Sequence, residues 1–279
     1  MQYVYKITLL LVFSLMSPSS STAFQKLNKE GMALSNIKVF NNLAEFASIG
    51  YDNCSMVSNG ELAIIKSFIC GGDLVLDVGA NKGEWSQYVL ASKASITLHA
   101  FEPIPAVYRK LKRNLKQQYP AMCHNIAVSD KNSLKDFYCY DTTTSASEVS
   151  SLFHRPILDT LLHTQPTIIT VETKTLDLFC KEQLIEHIDF LKIDTEGSEL
   201  NVLKGATDLL KNGSIKYIQF EYGGTYQDAH ITLKEVHELL TTYGYLIFRI
   251  IPQGLVDITE WTPSLENYCY SNYLAVYNC

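Results

Sequence analysis

At 279 residues, with 47% hydrophobic and 19% charged side chains, the chain is long enough for one large core or two small ones and reads as globular. A net charge of -6, from 23 Lys and Arg against 29 Asp and Glu, argues against a general nucleic-acid binder, which needs a cationic surplus to neutralise phosphates. A small-molecule partner is the expectation, and the seven cysteines, lacking any CxxC pair or Cys/His cluster of zinc spacing, read mostly as reduced thiols.

Residues 1–23 carry Lys6, an apolar run from Ile7 to Met16 and a polar stretch ending in Ser21-Thr22-Ala23, the pattern of a signal peptide with a small-x-small cleavage site. The run is about half of the roughly twenty residues that span a bilayer, so no stable membrane span is expected. Two readings stand: an exported chain that meets an oxidising compartment, or a hydrophobic N-terminal segment that stays with the protein. Residues 24–58 form an accessory segment with mixed helical patterning and no motif. Residues 59–279 contain no Pro/Gly/Ser linker and read as one domain.

The first clear element is the helix in "NGELAIIKSFICGG", with Asn59 as N-cap, Leu62, Ile65 and Ile69 on one face, and Gly71-Gly72 as the stop. Short apolar runs then alternate with helical patterns. Strands are predicted over 73–78, 96–103, 121–129, 188–194, 215–221, 245–250 and 272–277, with helices over 84–92, 104–118, 197–211 and 232–242. The early strands are apolar throughout rather than alternating, which is how a parallel sheet covered on both faces reads. The expected architecture is therefore a doubly wound α/β sheet. Residues 141–170, polar at first and broken by two prolines, read as an insertion over the active face.

Within "LVLDVGANKGEWS" a strand ends in a turn bearing Gly79, Asn81 and Gly83 and feeds a helix, which presents unpaired backbone N–H groups and a positive dipole end at the sheet's carboxyl edge. The spacing is Asp77-x-Gly79-x-x-x-Gly83, without the third glycine of a dinucleotide fingerprint. Asp77 would sit badly beside a pyrophosphate and suits a cationic ligand. Glu102 closes the next strand, where a carboxylate can accept from both hydroxyls of a ribose. A nucleoside with a positive, non-phosphorylated tail fits all three features, and S-adenosylmethionine is that molecule.

"DVGANKG", "AFEP", "NIAVSD" and above all "IDFLKIDTEGSELNVLKGA" resemble the FkbM family of S-adenosylmethionine-dependent methyltransferases over about residues 59–277. The resemblance implies a class I methyltransferase fold, Rossmann-like, with seven mostly parallel strands and one antiparallel strand near the C-terminus. It also implies O-methylation of a hydroxyl on a sugar, polyketide or other small molecule, so that a glycan is one acceptor class. On this resemblance Asp77, Gly79, Ala80, Asn81 and Gly83 line the methionine end of the cofactor, Glu102 holds the ribose, and Ala127, Ser129 and Asp130 build the adenine pocket. Trp85 is expected to pack under the turn.

The chemistry should centre on "LKIDTEGSE". Lys192, Asp194 and Glu196 alternate, so on one strand all three would share a face, which is costly in a core without partners. Asp194 is the candidate to contact the sulfonium methionine or the acceptor hydroxyl, Glu196 the general base or substrate anchor, and Lys192 the cation that keeps a carboxylate ionised. Glu199 reads as the first turn of the next helix. Glu221, at another strand end, is a substrate-contact candidate, as are His154 and, more weakly, His163 in the insertion. Asp194, Glu196 and Glu221 could also gather a hard divalent metal, though no ligand run requires one. The basic helix "YRKLKRNLKQQ" reads as a solvated face. An N-methyltransferase, a nicotinamide-dependent oxidoreductase and a non-catalytic nucleoside binder remain as alternatives. Cofactor supply favours the cytoplasm, against the signal-like N-terminus.

Overall fold

The computed structural model describes residues 37–41, 43, 46, 49–116, 121–140 and 149–278. The signal-like segment and residues 141–148 of the expected insertion lie outside the described residues. In chain order the elements are β1 (Lys38–Phe40), α1 (Glu61–Phe68), β2 (Leu74–Val78), α2 (Glu84–Ser92), β3 (Thr97–Phe101), α3 (Pro105–Lys116), β4 (Ala121–His124), β5 (Ala127–Val128) and β6 (Ser133–Cys139). There follow α4 (Pro156–Leu161), β7 (Thr167–Lys174), α5 (Leu176–Gln183), β8 (Ile188–Ile193), α6 (Glu199–Lys204), α7 (Thr207–Lys211) and β9 (Ile215–Tyr222). The chain closes with α8 (Thr225–Asp228), α9 (Leu233–Thr242), β10 (Tyr245–Ile251), β11 (Gly254–Asp257), a 3-10 turn at Pro263–Leu265, and β12 (Ser271–Tyr277).

The main sheet has nine strands in the order β4-β3-β2-β8-β9-β12-β10-β11-β1. From β4 to β9 all neighbours are parallel, and β12 runs antiparallel to both β9 and β10. The seven strands from β4 to β10 are the class I methyltransferase sheet. Beyond it β11 and β1 extend the edge, so part of the N-terminal accessory segment is a sheet strand. Alternation across the pleat explains why the central strands are apolar throughout. Leu76, Val78, Leu191 and Ile193 enter one core with α5, α6 and α9, whereas Val75 and Phe190 enter the other with α1, α2 and α3. The face of α3 predicted from Val107, Leu111 and Leu115 is the buried one.

Several boundaries differ from the sequence reading, each for a local reason. The N-cap of α1 is Gly60, and Asn59 acts one residue earlier by accepting from the Glu61 N–H at 2.9 Å. The helix expected over 197–211 breaks into α6 and α7 around Gly205, where a Cβ would lie 2.1 Å from the Ser129 carbonyl oxygen. The strand expected over 121–129 splits, because after His124 the chain leaves the main sheet and β5 joins a separate three-stranded sheet with β7 and β6. That small sheet was not foreseen: β6 and β7 each bury only two residues, and β7 lies partly inside the supposed insertion.

The chain turns from one side of β2 to the other between β4 and β8, and ligands of open α/β sheets bind at such a reversal, beyond the carboxyl ends of the strands. The two strand ends meet tightly there. The Asp194 N–H donates to the Val78 carbonyl at 2.9 Å, and an added Cβ at Gly79, where φ is +83°, would fall 1.7 Å from the Asp194 carbonyl oxygen. Gly79→Ala is therefore expected to destabilise the fold by roughly 3 kcal/mol or more, lowering the melting midpoint by about 6–12 °C. Gly224→Ala, at a glycine with φ of -59° and no atom within 4 Å of the new Cβ, serves as the control and should stay within about 0.5 kcal/mol of the parent; thermal unfolding of the two variants checks both values.

Candidate active site

A cavity of about 530 Å³ opens at the carboxyl ends of β2, β3, β8 and β9, within the size range of small-molecule and cofactor sites. Its wall includes Asp77, Gly79, Ala80, Asn81, Glu102, Ala127, Lys192, Asp194, Glu196 and Glu221, which the sequence reading had gathered from five separate segments.

At the β2 end, Asp77 is fully buried; Ser86 on α2 donates to its Oδ2 at 2.6 Å, and Oδ1 has no partner. Burial raises the Asp77 carboxyl above its ordinary range, against the pull of Lys192, which faces it directly across the β2–β8 pair. The Asn81 Oδ1, in a left-handed turn with φ of 48°, is also buried without a partner. An acceptor pair of this kind, one of them a carboxylate, fits the amino and sulfonium charges of S-adenosylmethionine. Gly83 does something different from the expectation. It starts α2 at φ 88° and its Cβ position abuts Leu111 and Leu115 at 2.7 and 3.2 Å, so it seats α2 on α3 and is not part of the wall.

Glu102 follows β3 and is nearly fully buried, with Oε1 accepting from the Ile104 N–H at 2.8 Å. Burial pushes its carboxyl up to about 7 despite the backbone donors of Ile104 and Asn81. Beside it, Ile104, Ile126, Ala127, Val128 and Phe137 give an apolar slot of the kind a flat base fills. Ser129 and Asp130, expected in that pocket, are elsewhere: Ser129 bonds Lys174 in the small sheet, and Asp130 pairs with Lys135 at 2.9 Å. The strand switch after His124 takes them away. Phe137 could not be foreseen because β6 was not recognised as a strand.

The catalytic candidates do converge, though not by strand alternation. β8 ends at Ile193; Lys192 is buried on it, Asp194 follows it, and Glu196 sits in a turn with φ of 55° before Gly197 at 103°. A non-glycine residue held in that region is strained, and such strain gathers at functional sites. Lys192 Nζ contacts Asp194 Oδ2 at 2.7 Å and lies 5.8 Å from the centre of the Trp85 ring. Burial opposes the Lys192 charge, but Asp194, Asp77 and Glu61 outweigh it and hold the ammonium firmly protonated. Trp85 packs under the turn as expected, stacked on Phe190, and also borders the cavity.

Carboxylate oxygens of Asp194, Glu196 and Glu221 all lie within 4.8 Å of one another. That spacing would suit a hard cation, yet Lys192 and Arg155 already bring two positive charges to this corner, so the donor set does not demand a metal. Burial and the Asp194 charge push Glu196 up to about 8, with Arg155 opposing, and burial with the same neighbours raises Glu221 well above its usual range. Glu199 takes no part: its carboxylate accepts from the N–H groups of Thr195 and Gly197 at 2.8 and 3.0 Å and so fixes the turn.

His154 and His163 are not at the site. His154 stacks on Tyr138 and bonds Asp159 at 2.8 Å, and His163 is exposed. The neighbour of His154, Arg155, reaches the cavity instead, with Nη1 3.0 Å from Glu196 Oε2 and Nε 3.2 Å from Asp228 Oδ2. Nothing in "FHRPIL" signalled this. Glu61 was also missed. At the start of α1 it accepts from Asn59, Gln219 and Asn272, closing a buried polar row across the sheet beneath the cavity.

Two pH effects follow. Glu102, Glu196 and Glu199 carry raised values of about 7, 8 and 7, so from about pH 6.5 to 8.5 the native state binds more protons than the unfolded chain. Stability must then fall as pH rises through that window, which a melting series without ligand will show. A ribose whose hydroxyls donate to the Glu102 carboxylate would pull its value down, and affinity for S-adenosylhomocysteine should then drop below pH 7 by at most about tenfold per pH unit. Glu102→Gln should cost roughly tenfold to a hundredfold in the same calorimetric titration and flatten that pH dependence.

Residues 77–247 match the family model described as the methyltransferase FkbM domain. The chain is 25% identical over 175 residues to the 2-O-methyltransferase NoeI of Sinorhizobium fredii, covering 61% of this chain and 72% of that one. It is 30% identical over 157 residues to the 31-O-demethyl-FK506 methyltransferase FkbM of Streptomyces tacrolimicus, covering 49% and 60%. The alignment to the latter thus spans less than two thirds of its length. A crystal structure of a methyltransferase FkbM from Methylobacillus flagellatus KT overlaps with a TM-score of 0.47 at 14% identity, covering 74% of this chain and 44% of that one. With the family model matched over more than half of its length, the chain belongs to the FkbM family of S-adenosylmethionine-dependent methyltransferases.

Proposed function

We propose that this protein transfers a methyl group from S-adenosylmethionine to a hydroxyl of a small-molecule acceptor, glycan hydroxyls included. The observation that carries the reading is the meeting of Asp194, Glu196 and Glu221 within 4.8 Å at the strand ends adjoining the Asp77 and Glu102 corner. The names of two relatives, a 2-O-methyltransferase and a 31-O-demethyl-FK506 methyltransferase, support oxygen as the acceptor atom.

When bound, the cofactor supplies an electrophilic methyl group on a sulfonium. The chain's own residues do the rest. Asp77, Gly79, Ala80 and Asn81 would hold the methionine end, Glu102 the ribose, and Ile104, Ala127 and Phe137 the base. An alcohol must lose its proton as its oxygen attacks, and Glu196, with a value of about 8, is matched to take that proton near neutral pH. Asp194, held by Lys192, and Glu221 would orient the hydroxyl. Fixing oxygen and methyl in line contributes as well.

Calorimetric titration with S-adenosylhomocysteine, with NAD and NADP in parallel, tests the cofactor. Labelled S-adenosylmethionine offered with methyl glycosides, secondary alcohols and primary amines tests the acceptor. Binding of the homocysteine compound alone and labelling of hydroxylated acceptors are expected. Glu196→Gln should keep cofactor affinity and lose about a hundredfold or more in turnover, with Asp194→Asn affected in the same sense. Labelling confined to amines, or full turnover by both variants, would sink this reading.

A further inference from the structure

The segment from Val149 to Leu162 leaves the small sheet by a bridge between Tyr138 and Ser151 and passes over the acceptor side of the cavity, where Val149, Ser150, Leu152 and Arg155 form part of the wall. It grips the Glu196 turn at two points. Ser151 Oγ, fully buried, donates to the Glu196 carbonyl at 2.7 Å, and Arg155 Nη1 donates to the Glu196 carboxylate at 3.0 Å. The other arm of the same guanidinium reaches Asp228 at the end of α8, 73 residues away in sequence.

Arg155 is well placed for such a task. Its side chain is 11% exposed, so its two charge-assisted hydrogen bonds are sheltered from water and salt. Its backbone is fixed too, because the single Tyr140 Oη proton is shared between the Arg155 carbonyl at 3.1 Å and Asp159 on α4 at 2.8 Å. α8 in turn presses on the Glu196 turn, since a Cβ at Gly197 would lie 2.9 Å from the Thr225 carbonyl oxygen. One planar side chain therefore joins the three elements that border the acceptor side.

We propose that Arg155 is the positioning residue of this enzyme: its forked guanidinium sets the Glu196 carboxylate and fastens the 149–162 segment to α8. The proposal rests on the reading of Glu196 as the base that receives the acceptor's proton. Arginine is required rather than any cation, because two acceptors in different directions need two separate N–H vectors, which a lysine ammonium on one flexible stem does not hold together. Arg155 touches neither Asp77 nor the Glu102 corner by any hydrogen bond, so cofactor binding should not depend on it.

The test compares Arg155→Gln, Arg155→Lys and Asp228→Asn in the full chain, saturated with S-adenosylhomocysteine. Amide hydrogen exchange over 149–162 should rise about tenfold or more in both Arg155 variants, and less in Asp228→Asn, which cuts one arm. Affinity for S-adenosylhomocysteine should stay within about twofold of the parent. Turnover on methyl glycosides should fall in kcat by roughly tenfold to a hundredfold with the KM for S-adenosylmethionine unchanged. Unaltered exchange in Arg155→Gln, or complete recovery of exchange and kcat in Arg155→Lys, overturns the proposal. So does a rise in exchange across the whole domain with loss of cofactor affinity, which would make Arg155 a prop for the fold. If the parent itself does not methylate glycosides or alcohols, the hydroxyl reading fails, while the exchange and affinity data still decide whether Arg155 is the clamp.

Discussion

The rest of the site depends on one close approach, that of the Gly79 backbone to the Asp194 carbonyl across the ends of β2 and β8. These strands are neighbours at the point where the chain reverses its direction of travel across the sheet, so their following loops diverge and leave a crevice. The crevice would be unspecific if the loops were free to choose their paths. Instead the turn after β2 is pinned by hydrogen bonds from the N–H groups of Gly79 and Ala80 to the Phe101 carbonyl, and the start of the turn after β8 by the bond from Asp194 to Val78. The Asp77 and Asp194 corners of the cavity are thereby fixed relative to each other by backbone contacts.

Electrostatics divides the cavity into two parts of different character. On one side, Asp77 and Glu102 are acids whose values burial raises against the pull of their few partners, and a cationic ligand rich in donors would offset that burial. On the acceptor side, the charges are largely matched within the protein: Lys192 serves Asp194, and Arg155 serves both Glu196 and Asp228. Glu221 is the exception, crowded by Asp194, Glu196 and Glu199, and is best accommodated with its proton on. A protonated Glu221 carboxyl can donate to an acceptor oxygen while a neighbouring carboxyl oxygen accepts, which suits a hydroxyl group on either count.

How much of this could be read from residues alone depended on whether their environment was set locally or by distant parts of the chain. The central strands were legible because burial on both faces leaves unbroken apolar runs, and α3 because Val107, Leu111 and Leu115 recur at helical spacing. Asp77, Glu102, Asp194 and Glu221 were legible because an acid at a strand's carboxyl end stands out against such a run. Ser129 and Asp130 were misplaced because the departure of the chain after His124 is dictated by pairing with β7, more than forty residues later. The small sheet was hidden for a related reason: β6 and β7 each bury only two residues, so they lack the unbroken apolar runs of the central strands. Arg155 and Glu61 are intelligible only through partners distant in sequence, Glu196 and Asp228 for one, Gln219 and Asn272 for the other.

Those long-range partners also explain how the site tolerates charge in a buried setting. Across the sheet on the side of α1 and α2, Asp77 faces Lys192, Lys192 faces Gln219, and Gln219 donates to Glu61. Each charged member thus meets an opposite charge or an amide, and isolated ions in that row would cost far more than their attraction returns. The row lies under Asp194 and supplies the cation that pairs with it at 2.7 Å, so residues that stabilise the carboxyl edge of the sheet also set the charge at the cavity wall. Removing Lys192 would therefore perturb Asp77 and Asp194 together, and the two halves of the site cannot be tuned independently at this position. Arg155 is different in kind. It reaches Glu196 from outside the sheet, on the 149–162 segment, so the second cation of this corner comes from a part of the chain that does not belong to the buried row.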